Sequence, residues 1–380
     1  MRALLTHPAV QRALPYIGIF VVAYTTHFFS GVIASGDSRW SIPMAYSLVY
    51  EGDLNLDEFP ELLDEHEYYW VEEIDGHWVN RFPIGIAVLS APFVLVLDQA
   101  AQFMFWIAPG IEERIIASSV KPLTEVNVIT MYWRIELVIA CFFMSTATLF
   151  MFGTAHEFLS IKKALIITFW FLFCTSVWSV GSRALGQHCG SILMLSITLY
   201  LIVIARKHPR WIQFAALPLA MAFVIRPTNA LPIIAISVYV LIQHRDYFPK
   251  YVGWACMIAI PFFIYNFSIY DAPFSPYYMP QDQLGSEAVY EVHYFTALAG
   301  LLISPARGLL VYCPLFIFSL YGLWLARKQA HKDWLYPLLG GCILVHWLLI
   351  ASFGDWWGGH SYGPRYFSDL TPFFVFLLIP

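Results

Sequence analysis

Nine polar side chains stand at the edges of apolar stretches, in six short motifs. Asp37 lies in "SGDSRW" (Ser35–Trp40) and Arg81 in "NRFPIG" (Asn80–Gly85). Arg183 and His188 share "GSRALGQH" (Gly181–His188), Arg226 opens "RPTN" (Arg226–Asn229), and Arg307 sits in "SPARG" (Ser304–Gly308). His360, Tyr362 and Arg365 belong to "GDWWGGHSYGPRYF" (Gly354–Phe367). The residue types suit two tasks. The planar fork of a guanidinium matches the oxygens of a phosphate, and a carboxylate at an apolar border is placed to take a proton from a hydroxyl. Each has a plainer alternative. Asp is favoured as a helix cap, and the arginines have acids to pair with: twelve of the 26 acidic residues fall between Asp37 and Asp75, beside the single arginine Arg39.

The elements that carry these motifs follow from composition. The chain has 380 residues, 59% hydrophobic and only 12% charged, with mean hydropathy +0.63. A soluble domain carries about 25% charged residues. Several segments have the length and apolarity to cross a hydrocarbon core of about 30 Å, and helices are the open-ended solution there because they pair their own backbone groups. The fold class expected is an all-α polytopic membrane protein. Candidate spans are Leu14–Ala34, Ala164–Ser182, Cys189–Ala205, Trp211–Ile225, Leu231–Gln243, Tyr251–Tyr270, Leu309–Ala326, Trp334–Phe353 and Leu370 onward. Pro83–Pro109 and Val126–Phe158 are two further apolar regions, giving ten to twelve spans. The chain stops inside an apolar run at Pro380, as if more followed.

Basic residues cluster at Met1–Arg12, Ile161–Lys163, Ala205–Arg210, His244–Lys250 and Ala326–Lys332. The positive-inside rule puts them on the cytoplasmic side, which places all six polar motifs on the other. Between Pro83 and Lys163 that scheme needs an odd number of crossings. Either Pro83–Pro109 folds back around Asp98, or "IKK" is an exception to the rule. The largest polar insertion, residues 35–82, follows the first span; within it Trp40, Met44, Ser47 and Leu48 share one helical face, a pattern suited to the membrane interface. In the last motif Gly358 and Gly359 allow a sharp bend, Pro364 starts the next helix, and the loop is expected to face Asp37.

Other chemistries find little support. His188, His293 and His360 lack metal-ligand spacing, so no cofactor is expected; the acidic outer loop offers oxygens for a divalent metal, but no spacing demands one. The six cysteines are scattered in apolar segments and read as small buried hydrophobes. Ser182 or Ser361 beside His188 lacks a nucleophile elbow. "NFS" (Asn266–Ser268) lies in an apolar segment and reads as a chance glycosylation match. The one large polar loop is acidic, which argues against nucleic acid.

A first span ending in "GD", an amphipathic outer loop and "RFPIG" opening the next span resemble the bacterial GT-C membrane glycosyltransferases. That group includes the protein O-mannosyltransferases and the aminoarabinose transferases of lipid A. "RALGQH", "RPTN", "LLISPARGLLVYCPL" and "WWGGHSYGPRYF" look like segments of a less characterised bacterial branch. Two positions depart from the pattern: Asp37-Ser38 stands where an Asp-Glu pair is frequent, and "RFPIG" replaces a commoner Tyr-Pro-Pro-Gly. The resemblance implies one GT-C domain over residues 1–380, with residues 35–82 as its first extracytoplasmic loop. It implies a multi-pass protein of the bacterial cytoplasmic membrane that moves a sugar from a polyprenyl-phosphate carrier to a glycan, lipid or protein acceptor on the outer face. Asp37 would be the base, Arg183, Arg226 and Arg307 the donor-phosphate ligands with Arg81 and Arg365, and His188, His360 and Tyr362 the substrate contacts. A transporter or flippase of lipid-linked saccharides is the alternative, and a non-catalytic subunit a third.

Overall fold

Apolar runs without charge leave the backbone to pair with itself, and the chain answers with helices. The computed structural model describes residues 8–30, 36–63, 70–108, 110, 126–278, 293–327, 333–359 and 361–380. The helices that matter for the site are α1 (Pro8–Phe28), α2 (Ser41–Tyr50), α3 (Gly85–Ile107), α4 (Val126–His156), α5 (Ile161–Phe173), α6 (Gln187–Ala205) and α7 (Ala216–Ile225). They are followed by α8 (Ala230–Gln243), α9 (Phe248–Tyr270), α10 (Tyr294–Ile303), α11 (Ile317–Ala326), α12 (Leu335–Ile350) and α13 (Thr371–Phe376). Among the described residues four helices are long and apolar enough to cross a membrane: Gly85–Ile107, Arg134–His156, Gln187–Ala205 and Arg245–Tyr270. Six shorter apolar helices accompany them.

Two of the long helices are central and two peripheral. The most apolar window of α6 is 78% buried and that of Arg134–His156 is 61% buried, against 28% for α3 and 11% for Arg245–Tyr270. The outer pair is apolar nonetheless, exposing Val96, Phe103 and Trp106 on α3 and Met257, Ile260 and Ile264 on α9. Apolar surface facing outward is what lipid, not water, tolerates. Hydroxyls within the helices donate one turn back: Ser145 to the Cys141 carbonyl, Thr148 to Met144, Ser196 to Ile192 and Thr198 to Met194. This satisfies groups that have no water partner.

Helix α3 runs unbroken through Asp98, so Pro83–Pro109 does not fold back at that residue. Asp98 instead accepts hydrogen bonds from Tyr46, Tyr50 and Gln102, which ties α2 to α3. The start of α3 lies against the end of α7. A Cβ on Gly85 would come within 2.5 Å of the Ile225 backbone nitrogen, so only glycine permits this approach.

The polar insertion after α1 is not purely helical. Beyond α2, strands β1 (Val71–Ile74) and β2 (His77–Asn80) form an antiparallel hairpin. Its two-residue turn, Asp75-Gly76, has positive φ at both positions (52° and 86°), as a type I′ turn requires. Among the described residues this hairpin, joined by the single bridge Asn55–Val79, is the departure from an otherwise helical chain, whose all-α class stands. Of the helical face read from sequence, Trp40 (just before α2), Met44 and Ser47 are buried and Leu48 half-buried, but Ile42, Pro43 and Ala45 off that face are buried as well, so α2 is packed on more than one side.

Candidate functional site

Arg226 follows α7, and Pro227 explains where it points. A residue before proline is driven out of the helical region; Arg226 is extended (φ −156°, ψ 124°) and turns back toward α6. Asn229 fixes this corner by donating to Ser191 Oγ and the Ala222 carbonyl, each at 2.8 Å. The Arg226 guanidinium then meets His188, in the first turn of α6, and Asp369, from the turn before α13. Arg226 Nε lies 2.9 Å from Asp369 Oδ2. That is a charge contact rather than a directed bond, since Nε donates to Thr228 Oγ1 at 3.1 Å. Asp369 Oδ1 accepts from His188 Nδ1 at 2.8 Å.

A carboxylate can only accept, so Nδ1 of His188 carries the ring proton and Nε2 is left as an acceptor. Two arginines use it: Arg226 Nη1 at 3.0 Å and Arg365 Nε at 3.1 Å. The other arm of Arg365, Nη2, donates to Asp37 Oδ2. Asp37, Arg365, His188, Asp369 and Arg226 thus form one hydrogen-bonded and ion-paired chain. Tyr366 lies beneath it, its ring 5.6 Å from the Arg226 guanidinium carbon and its hydroxyl donating to Asp355 at 3.1 Å. Burial pushes the Asp369 carboxyl up, but Arg226 and then His188 outweigh it and hold the group below the usual carboxylate range. Burial likewise lowers the Arg365 guanidinium, and the Asp37 carboxylate more than restores it.

The motif "WWGGHSYGPRYF" bends as its glycines predict, with positive φ at Gly358, Gly359 and Gly363 (75°, 60° and 68°). Pro364 precedes the turn Arg365–Leu370, which brings Arg365 to Asp37. The loop therefore meets the Gly36–Ser38 turn. Below that turn, Glu136 of α4 accepts the Leu185 N–H at 2.7 Å and a hydrogen bond from Ser38. Ser41 closes the bracket by donating to the Leu185 carbonyl at 3.0 Å.

Four of the nine residues expected from sequence are linked here: Asp37, His188, Arg226 and Arg365. The other arginines have different partners. Arg183 follows the π-helical turn Val177–Gly181 and donates to the Trp178 carbonyl (2.9 Å) and Ser30 Oγ (2.7 Å). Arg307 donates to the Gly359 carbonyl (2.6 Å), bracing the glycine bend, and Arg81 pairs with Glu72 of β1 at 3.3 Å. Tyr362 is 63% exposed, with its ring edge-on to Tyr312. His360 lies outside the described residues. Ser182 pairs with His27 Nδ1 (2.5 Å), not with His188. Asn266 is buried and donates to the Phe262 carbonyl, which removes "NFS" as a glycan acceptor. Among the described residues no group of three His, Cys, Asp or Glu side chains is spaced to hold a metal ion.

Sequence reasoning missed Asp369 and Glu136. Each is a lone carboxylate at or within an apolar run, and that is the signal that finds it. No family model matches the chain, and no curated protein is similar to it.

Proposed function

We propose that the chain is an integral membrane glycosyltransferase. It moves a sugar from a polyprenyl-phosphate carrier to a hydroxyl acceptor, at the extracytoplasmic face of a bacterial cytoplasmic membrane. The observation that supports this is the meeting of Asp37 with Arg365, His188, Asp369 and Arg226 at one end of membrane-length helices. Asp37 takes the acceptor hydroxyl's proton while the oxygen attacks the anomeric carbon from the side opposite the phosphate. A new C–O bond forms as the bond to the phosphate oxygen breaks, its electron pair leaving with polyprenyl phosphate. A phosphate is a weak base, so it needs charge stabilisation rather than an acid. In this reading Arg365 supplies it, with Arg226 adding field from behind and Arg81, Arg183 and Arg307 holding the surrounding segments. Two readings of the chain in nanodiscs carrying labelled polyprenyl-phosphate sugars test the proposal. Release of polyprenyl phosphate with sugar on the acceptor is expected, and Asp37→Asn should slow it about 10²–10⁴-fold. Passage of the intact carrier across the bilayer, with no bond broken, would replace transfer with flipping.

A further inference from the structure

We propose that a groove along α10 is a phospholipid site: it takes one acyl chain of an anionic bilayer lipid, whose phosphate sits on Arg307. The site stands whether or not the chain moves sugar. Helix α10, "YFTALAGLLI", carries no charge. Tyr294 donates to the Leu348 carbonyl and Trp347 Nε1 to the Leu298 carbonyl, each at 3.1 Å, so α10 is fastened to α12. Phe295, Ala299 and Ile303, spaced by one turn, remain exposed. Gly300 makes the floor beside them. A Cβ there would overlap the Trp356 ring, so the indole lies directly against the helix backbone. The groove enclosed between Phe295, Trp356 and Ser304 measures about 560 Å³.

Charge names the occupant. The Gly308 N–H donates to the Ser304 carbonyl at 2.7 Å, closing a tight turn that sets Arg307 at the Ser304 end of the groove. Arg307 Nη2 donates to the Gly359 carbonyl at 2.6 Å and Nη1 to the Ala306 carbonyl at 3.2 Å. Carbonyls carry no net charge. Arg81, Arg206, Arg226 and Arg365 each pair with an acid, whereas Arg307 has none among the described residues. Its side chain is half-buried, and each terminal nitrogen keeps a second N–H for a phosphate oxygen. Length points the same way. The 10 residues of α10 measure about 15 Å, half of the roughly 30 Å hydrocarbon core. That is one leaflet, the reach of a phospholipid acyl chain. A polyprenyl chain is longer than a leaflet is deep, and an apolar partner helix would leave Arg307 without a countercharge.

Trp356 makes the groove readable by fluorescence, since bromine on an acyl chain quenches an indole that it touches. The full chain is placed in phosphatidylcholine nanodiscs with a minor share of brominated lipid, either phosphatidylglycerol or phosphatidylcholine. Subtracting the signal of Trp356→Phe isolates Trp356 among the 14 tryptophans. Brominated phosphatidylglycerol should reach half-maximal quenching at about fivefold lower mole fraction, the effect of one basic residue on an anionic lipid. Arg307→Gln should remove that preference and Arg307→Lys should keep it. Ala299→Phe fills the groove and should abolish quenching by both lipids. In the parent the preference should shrink as salt rises, a reading that needs no variant. Equal quenching by the two lipids, a preference that survives Arg307→Gln or quenching that survives Ala299→Phe would overturn the site and leave only boundary lipid. Displacement of the brominated lipid by equimolar farnesyl phosphate would overturn it too, giving the groove to an isoprenoid carrier. So would a disulfide-linked dimer of Ala299→Cys, which would give it to a second copy.

Discussion

Asp369 and Arg226 show what single residues contribute. Each is buried and each needs the other's charge. Asp369→Asn should destabilise the protein by about 3–5 kcal/mol, because it leaves Arg226 without a countercharge. Thermal unfolding in detergent checks this, and adding Arg226→Gln should recover part of the loss; an Asp369→Asn protein as stable as the parent would show the pair to be idle. At this scale the sequence was partly readable. Asp37, His188, Arg226 and Arg365 stand out because an ionisable group beside apolar residues is costly without a purpose. Their pairing was not readable, since 181 residues separate His188 from Asp369 and 328 separate Asp37 from Arg365. Asp369 itself was hidden by its neighbours: it stands directly before the apolar run from Leu370 onward, which reads as a span.

Elements fix how those residues meet, and two of them can be tested. Glu136 of α4 accepts from Leu185 and Ser38, joining the approach to α6 with the turn that bears Asp37. Glu136→Leu removes the acceptor for a buried N–H and should cost about 1–3 kcal/mol. Glu136→Gln keeps an acceptor oxygen and should lose little; hydrogen exchange at Leu185 separates the two, and equal protection in all three proteins would refute the bracket. The hairpin carries a pH response instead. His77 Nδ1 and Asp57 Oδ2 are 2.6 Å apart, and Asp57 also accepts the Trp78 N–H at 2.8 Å. The Asp57 hydrogen bond raises the His77 imidazole above its ordinary value. Burial works to raise Asp57, but the Trp78 N–H and His77 prevail and lower it. A raised histidine stabilises fully below its unfolded value near 6.5 and loses that effect as pH rises through its higher folded value. A lowered aspartate stabilises above about 4 and loses that effect as pH falls through its lower folded value. Protection factors of β1 and β2 amides, taken relative to the intrinsic exchange rate at each pH, should therefore be highest between about pH 4 and 6.5, and Asp57→Asn should flatten the profile. The same profile in both proteins would place the response elsewhere. The hairpin was legible in principle, because "DG" between short alternating segments marks a two-residue turn; the density of acids around it drew the reading toward loop instead.

Across the whole molecule, α6 is the axis that separates two kinds of chemistry. Its first turn holds His188 within the Asp37–Arg365 cluster, while Arg206, just past its last turn, pairs with Asp333, and Lys207 with Glu157 at 2.6 Å. A helix of 19 residues spans roughly 28 Å, close to the roughly 30 Å of a hydrocarbon core. The cluster and the basic stretch 205–210 thus lie about a hydrocarbon core's thickness apart along α6, a separation that placement on opposite membrane faces requires. That composition makes itself felt at so large a scale has a physical cause: charges are expelled from the apolar middle whatever the packing, so their positions along the chain survive folding almost unchanged. The packing details do not, because shape decides them. Which end faces the cytoplasm follows from lysine and arginine alone, since acids contribute little to orientation; the partners Asp333 and Glu157 should therefore not weaken the bias of Arg206 and Lys207. Cysteines placed at the two ends test this in bacterial cells. Tyr362 on the loop that bears Arg365 and Lys207 beyond α6 are both exposed, and the six native cysteines are buried or half-buried, which gives a low background. A membrane-impermeant maleimide should label Tyr362→Cys in intact cells and Lys207→Cys only after the membrane is opened. The reverse pattern would put Asp37 and Arg365 in the cytoplasm, and an extracytoplasmic transfer could not be their work.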